Sequence, residues 1–465
     1  MTTIYASGQI CVTRTLKDLH SCVPQCKRVK SASVDRFIRL LVSSVQPEIQ
    51  HTVISADGKL PLHVSATLFY AVMIMVVGQA FLFTILPPIG RQVGMADYQI
   101  GLVMSVHGLF MLFTGPMWGA ASETWGRRRV IIIGSFAFVI SVVMFGLIVD
   151  AAISGLVSGM AILWMLVGSR ALFALGAGAV TPSAMALAAD MSSREMRLRA
   201  ISMLTAATST GAILGPSVSA FFTGFGLSAP FYIIAVTGLF AAIFARLFLP
   251  KTRSSSSATA IRYRHLLKGP ILRIAISAVF FLCGTYGTFS VIGFFVQDRF
   301  SLEPIPAAQA MGLGLMCAAA ANVFIQAFVL RRINQSAKTL IVIGVCVTLL
   351  SIGLLWTSVS QWMFIAAMVC NGLGQGFSMP AINTSLSLAA GPDAQGRLAG
   401  ISTSTQSIAF LVAPASAAAL YQSINWLPFA VGGVVTVLAL LLFLGTPIVD
   451  GRKGKIGDYK DSIPT

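Results

Sequence analysis

Twelve blocks of apolar residues, each about twenty residues long, run through this chain between residues 64 and 446. Coiled as a helix, a block of that length spans a ~30 Å hydrocarbon core. Lipid offers the backbone no hydrogen-bond partner, so a crossing segment must be a helix or a strand of a closed barrel. Barrel strands alternate in polarity over about ten residues. These blocks do not alternate, so they read as helices. Composition agrees with this: 10% of the 465 residues are charged, against roughly 25% in a soluble domain. Such a chain cannot cover a water-facing surface.

The blocks lie at 64–86, 100–120, 130–149, 160–188, 200–222 and 229–249, then at 271–296, 307–330, 339–359, 362–388, 398–421 and 426–446. This predicts five regions. Residues 1–60 form a polar cytoplasmic tail without fixed structure, in which 34–45 has the pattern of a short amphipathic surface helix. No secretory signal pattern is found there. Residues 61–249 form a first six-helix bundle, 250–269 a basic, serine-rich cytoplasmic loop, 270–446 a second bundle and 447–465 a cytoplasmic tail.

Loop charge orients the blocks. With the first segment in the cytoplasm, the inside loops hold Arg127, Arg128, Arg129, Arg194, Arg197, Arg199, Lys251, Arg253, Arg262, Arg264, Lys268, Arg273, Arg331, Arg332, Lys338 and Arg397. The outside loops hold only Arg91 and Arg299. This asymmetry follows the positive-inside rule and predicts a multi-pass protein of the inner (plasma) membrane, both termini cytoplasmic. It also accounts for the net charge of +17 without nucleic acid, since the basic residues form no continuous face. Cys22 and Cys26 near His20 are too few to predict a metal site, and none is expected.

The second half repeats the first. At an offset of 198 residues Gly176 falls on Gly374, Gly178 on Gly376, Pro182 on Pro380, Arg199 on Arg397 and Pro216 on Pro414. Parallel repeats of six helices, related by an axis along the membrane normal, are a transporter architecture.

Three motifs lie in the first half. The loop GAASETWGRRRV contains Gly119, Glu123, Gly126, Arg127, Arg128 and Arg129. The fourth block contains RALFALGAG, from Arg170 to Gly178, and the fifth contains GAILGPSVSA with Gly211, Gly215 and Pro216. Together they resemble the signature loop, the arginine–glycine motif and the Gly-Pro antiporter motif of the major facilitator superfamily, and most resemble its twelve-helix drug:proton antiporters. Thr124 stands where the family's loop carries an arginine. Phe173 and Ala174 replace a glutamine and a glycine, and Ser219 and Ala220 a glycine pair. The resemblance implies an all-α fold of twelve transmembrane helices in two pseudo-symmetric six-helix bundles. It implies that the loop acts as a conformational latch, with Gly119 letting helix ends approach, and that Gly211, Gly215 and Pro216 shape a pivot.

A charge deep in a bilayer costs at least ~2.5–3.5 kcal/mol, so Arg170, the one basic residue deep within a block, must face a polar interior or a partner. No acidic residue lies deep within a block. His107 is the embedded group whose ordinary titration range is near neutral pH, and Asp190 lies near the cytoplasmic face. Arg170, His107 and Asp190 are the candidates for proton coupling. By the resemblance, Gln79, Tyr286, Asn322, Gln326, Asn371, Gln375, Asn383 and Gln406 are candidates to line a central cavity. One buried arginine without a buried acid predicts a neutral, zwitterionic or weakly anionic lipophilic substrate.

The expected function is secondary active transport: efflux of lipophilic small molecules, drugs or metabolites, by a monomer in the lipid bilayer. The proton gradient supplies the energy and there is no cofactor. A metabolite or siderophore importer or uniporter of the same fold remains open, as does, at a distance, a membrane sensor. Nucleotide loops, zinc-protease motifs and nucleophile elbows are lacking, so no enzyme is expected.

Overall fold

The computed structural model describes residues 2–6, 9–13, 60–193, 196–251, 269–333, 335–390 and 395–446. Twelve long α-helices account for most of them. They are α1 (Leu62–Gln92), α2 (Asp97–Trp125), α3 (Arg127–Ile153), α4 (Met160–Asp190), α5 (Arg197–Phe222) and α6 (Ala229–Phe248). The series continues with α7 (Gly269–Phe300), α8 (Pro304–Phe324), α9 (Ala337–Thr357), α10 (Gln361–Ala390), α11 (Gln395–Ser423) and α12 (Leu427–Leu444). The ends are set locally. Gly126 alone separates α2 from α3, at φ 91°, a conformation that a side chain would strain. Proline opens α6, α8 and α12, where its missing N–H costs nothing.

Nine of the described helices are long and apolar enough to cross a membrane. The other three, α5, α10 and α11, are rich in Ser, Thr, Asn and Gln. On α5 these groups turn back on their own helix: the hydroxyls of Thr208 and Thr210 donate to the carbonyls of Thr205 at 2.7 Å and Ala206 at 2.9 Å. Such bonds let a polar helix sit among apolar ones. Several helices outrun their apolar blocks; α7 extends to Phe300. The block expected at 307–330 ends in a π-helical turn, Ile325–Val329, rather than continuing as α-helix. Within residues 1–60, Thr2–Ala6 (β1) and Gln9–Thr13 (β2) pair as an antiparallel hairpin that the sequence reading did not include. Two β-prone runs around Ser7–Gly8 account for it. The expected surface helix at 34–45, Cys22 and Cys26, the loop 252–268 and the tail 447–465 lie outside the described residues.

The repeat reappears in the packing. α3 packs on α4 as α9 does on α10, α1 on α5 as α7 on α11, and α2 on α4 as α8 on α10. The contacts match in detail. A Cβ on Gly134 would lie 2.8 Å from the Gly176 carbonyl oxygen, and one on Gly344 2.6 Å from that of Gly374. Ser141 donates to the Ser169 carbonyl at 2.7 Å, and Ser351 to the Ala367 carbonyl at 2.7 Å. Residues this small allow backbones to touch, which is how helices bind one another in lipid.

The two largest seams joining α1–α6 to α7–α12 lie between α2 and α11 and between α5 and α8. They are built alike. A Cβ on Gly101 would lie 2.5 Å from the Ala418 Cβ and 2.6 Å from the Pro414 carbonyl oxygen. One on Gly312 would lie 2.6 Å from the Ala220 Cβ and 2.8 Å from the Pro216 carbonyl oxygen.

Candidate functional site

Glycines at 101, 108 and 115 lie seven apart on α2 and so share one face. A Cβ on Gly108 would lie 2.6 Å from the Ser407 carbonyl oxygen of α11, whereas one on Gly115 or Gly119 would meet nothing within 4 Å. The two sets of helices therefore touch along the Gly101–Gly108 stretch and part beyond it. The close approach expected of Gly119 is not found among the described residues. Gly211 and Gly215 instead pack on α1, against the carbonyls of Met73 and Val77. The neighbouring Pro216 faces α8.

Where the seam begins to part, side chains from five helices meet. Arg170 of α4 is 2% exposed. Its guanidinium donates to Gln79 Oε1 of α1 at 2.6 Å and lies 4.4 Å from the centre of the Phe173 ring. His107 of α2 is also buried. Its ring packs edge-on against Phe173 and against Phe410 of α11, both at 5.7 Å. Phe410 in turn lies 4.2 Å from Tyr286 of α7 and 5.7 Å from Phe83 of α1. Gln79, Phe83, Tyr286 and Phe410 are partly exposed, in front of the buried arginine and histidine. Arg170 Nε, Gln79 Nε2 and His107 Nδ1 are buried without a hydrogen-bond partner. Among the described residues, no carboxylate forms an ion pair with Arg170.

The amide candidates of the second half pair among themselves. Gln326 donates to Asn322 Oδ1 at 2.5 Å at the start of the π turn, and Gln375 to Asn371 Oδ1 at 2.7 Å. Asn383 accepts from Ser402 at 2.9 Å, whose carbonyl accepts from Gln406 at 3.3 Å.

Two clusters of one arginine and two carboxylates mark the ends of the bundle. At the end where the seams are closed, Arg91 of α1 makes paired bonds to Asp97 of α2, both 2.8 Å, and to Asp298 of α7, at 2.6 and 3.1 Å. Tyr421 of α11 donates to Asp298 at 2.9 Å. This cluster ties the two sets of helices together. The sequence placed Arg91 only as an outside-loop charge. At the parted end, Arg127 lies 3.9 Å from Glu123 and 3.4 Å from Asp190 and donates to Ser122. Arg128 donates to the Arg246 carbonyl, and Arg129 is exposed. All these contacts stay within α2, α3, α4 and α6. The three coupling candidates therefore divide: His107 and Arg170 are neighbours, while Asp190 sits about 30 Å further along α4. The aromatic members, Phe83, Phe173 and Phe410, were missed as site residues, since a lone phenylalanine in an apolar block carries no signal of its own.

A largely helical, multi-pass chain with repeated helix sets, joined at one end and with a buried polar cluster where they begin to part, is a membrane transporter rather than an enzyme. The chain belongs to the Major Facilitator Superfamily, whose model matches residues 68–360 and 336–462. Among curated relatives it is similar to multidrug resistance protein 2 of Bacillus subtilis (strain 168), with 24% identity over 79% of this chain and 91% of that one. It is also similar to the class G tetracycline resistance protein of Vibrio anguillarum, with 25% identity over 79% and 92%. Solved structures share the fold. The human organic anion transporter MFSD10 (TETRAN) aligns with TM-score 0.60 and 18% identity, covering 83% of this chain and all of that one. A peptide transporter, POT, in complex with sulfate aligns with TM-score 0.64 and 15% identity, covering 82% and 93%. The chain is thus a member of this transporter superfamily, with drug-resistance proteins among its curated relatives.

Proposed function

We propose that this protein is a secondary active exporter of lipophilic small molecules, working by alternating access and drawing on the proton gradient. It works as a monomer in the plasma membrane, with twelve crossings and both termini in the cytoplasm. The observation that carries the reading is the wedge between α2 and α11, closed from Gly101 to Gly108 and open at Gly115, with the aromatic and polar cluster at its apex. Loop charge assigns the Arg127 end to the cytoplasm, so this conformation is open inward. Substrate enters from the cytoplasm or inner leaflet, settles against Gln79, Tyr286 and Phe410, and leaves once the Arg91 cluster has parted. The relatives' names, multidrug and tetracycline resistance, support the efflux direction. His107 in the cluster and Asp190 on Arg127 are the groups proposed to carry the coupling proton.

Everted membrane vesicles test this with a lipophilic fluorescent dye. Dye accumulation that collapses when an ionophore dissipates the pH gradient is the expected result. Dye movement indifferent to that gradient would favour a uniporter, and accumulation only in right-side-out vesicles an importer.

A further inference from the structure

Arg170 holds a full positive charge among helices, and nothing in the described residues neutralises it. Its bond to Gln79 engages the amide oxygen, which leaves Gln79 Nε2 and Arg170 Nε, both donors, buried without acceptors. A guanidinium and an amide N–H side by side form an acceptor-seeking pair that suits a carboxylate, which has two acceptor oxygens and no donor. The next ring out is aromatic: Phe173 beneath the guanidinium, then Phe410 and Tyr286 at 4.2 Å from one another and both partly exposed. We infer that the substrate class of this site is an amphipathic organic monoanion, an aryl carboxylate whose carboxylate meets Arg170 and Gln79 and whose ring lies against Phe410 and Tyr286. The inference rests on the exporter reading and narrows its substrate.

Three alternatives fit less well. An organic cation would meet a like charge with no carboxylate at the apex. A neutral ligand would leave the arginine as unpaired after binding as before. A dianion would bring one charge more than the site can neutralise.

The test uses the full-length protein in lipid nanodiscs and three probes of one shape: 1-naphthoate, 1-naphthamide and 1-naphthylmethylammonium. A charge-assisted hydrogen bond contributes about 1.5–3 kcal/mol, so naphthoate is expected to bind at least about tenfold more tightly than the amide, and the ammonium more weakly than both. Arg170→Gln should bring naphthoate and naphthamide to equal affinity, and Arg170→Lys should retain part of the preference. Should Arg170→Gln fail to fold, the three-probe comparison on the unmodified protein decides alone: equal binding of naphthoate and naphthamide overturns the inference. Dye export in the vesicle assay, measured in parallel, separates the two readings. Equal probe binding with intact dye export removes the anion site and leaves an exporter. Naphthoate preference without dye export in either direction retains the anion site and removes the dye-exporter reading.

Discussion

The two ends of the bundle use the same parts to different effect. Each has an arginine between two carboxylates, Arg91 with Asp97 and Asp298, Arg127 with Glu123 and Asp190. At the Arg91 end the second carboxylate comes from the other set of helices, the bonds are paired and short, and Tyr421 completes them. At the Arg127 end both carboxylates belong to the arginine's own set, and the distances are 3.4 and 3.9 Å. A transporter that rocks needs one end fastened and the other free. Here the fastening follows from which helix supplies the second acid, not from the chemistry of the pair. The glycine seam follows the same division, in contact at Gly101 and Gly108 and empty at Gly115 and Gly119.

The comparison can be broken most forcefully at the seam. Gly108→Leu places a branched side chain where even a Cβ would lie 2.6 Å from the Phe410 carbonyl carbon, and overpacking of this kind costs about 1–3 kcal/mol. It should abolish dye export and lower the melting temperature of the nanodisc-embedded protein. Gly119→Leu, at the open end, should leave the melting temperature unchanged. A equal fall in both variants would mean that the two ends do not differ in packing.

A smaller effect is expected at the fastening. Arg91→Ala leaves Asp97 and Asp298 facing one another without a cation and should open that end several-fold more often. Labelling of Ser105→Cys by a membrane-impermeant thiol reagent applied from the Arg91 side measures this; an unchanged rate would deny the cluster its role. Tyr421→Phe removes one charge-assisted hydrogen bond to Asp298, worth about 1.5–3 kcal/mol, and should raise the same labelling rate by less than Arg91→Ala does. The smallest effect on stability belongs to Asp190→Asn. Its carboxylate is 57% exposed, and exposed pairs contribute at most about 1 kcal/mol. The variant should match the parent in melting temperature. Dye export that becomes independent of the pH gradient in this variant would assign the coupling proton to Asp190 rather than to His107.

What was legible in the sequence follows from how local each signal is. A twenty-residue apolar run is a local property, so the helices were readable; their ends were less so, because α2, α3 and α7 continue into polar residues whose backbone bonds still close. Arg170 announced itself by the cost of its charge. Arg91 and Asp298 did not, because they lie 207 residues apart and each alone looks like an ordinary end-of-helix charge. Asp97, six residues from Arg91, was the one nearby hint. Phe410 was silent for a similar reason: its meaning comes from His107, Tyr286 and Phe83 on three other helices.

The isolated guanidinium of Arg170 also bears on the electrical behaviour of the cycle. In the proposed cycle the apex shares the electrical potential of the cytoplasm while the Arg91 end is sealed, and that of the exterior once the wedge reverses. Carrying an elementary charge between the two costs up to ~2.3 kcal/mol per 100 mV. In that cycle the substrate-free carrier takes the Arg170 charge together with the coupling proton through that drop, whereas a carrier holding a monoanion takes none. An inside-negative voltage therefore pulls the vacant protein back to face the cytoplasm while leaving the loaded stroke untouched, so that polarisation of the membrane resets the machine.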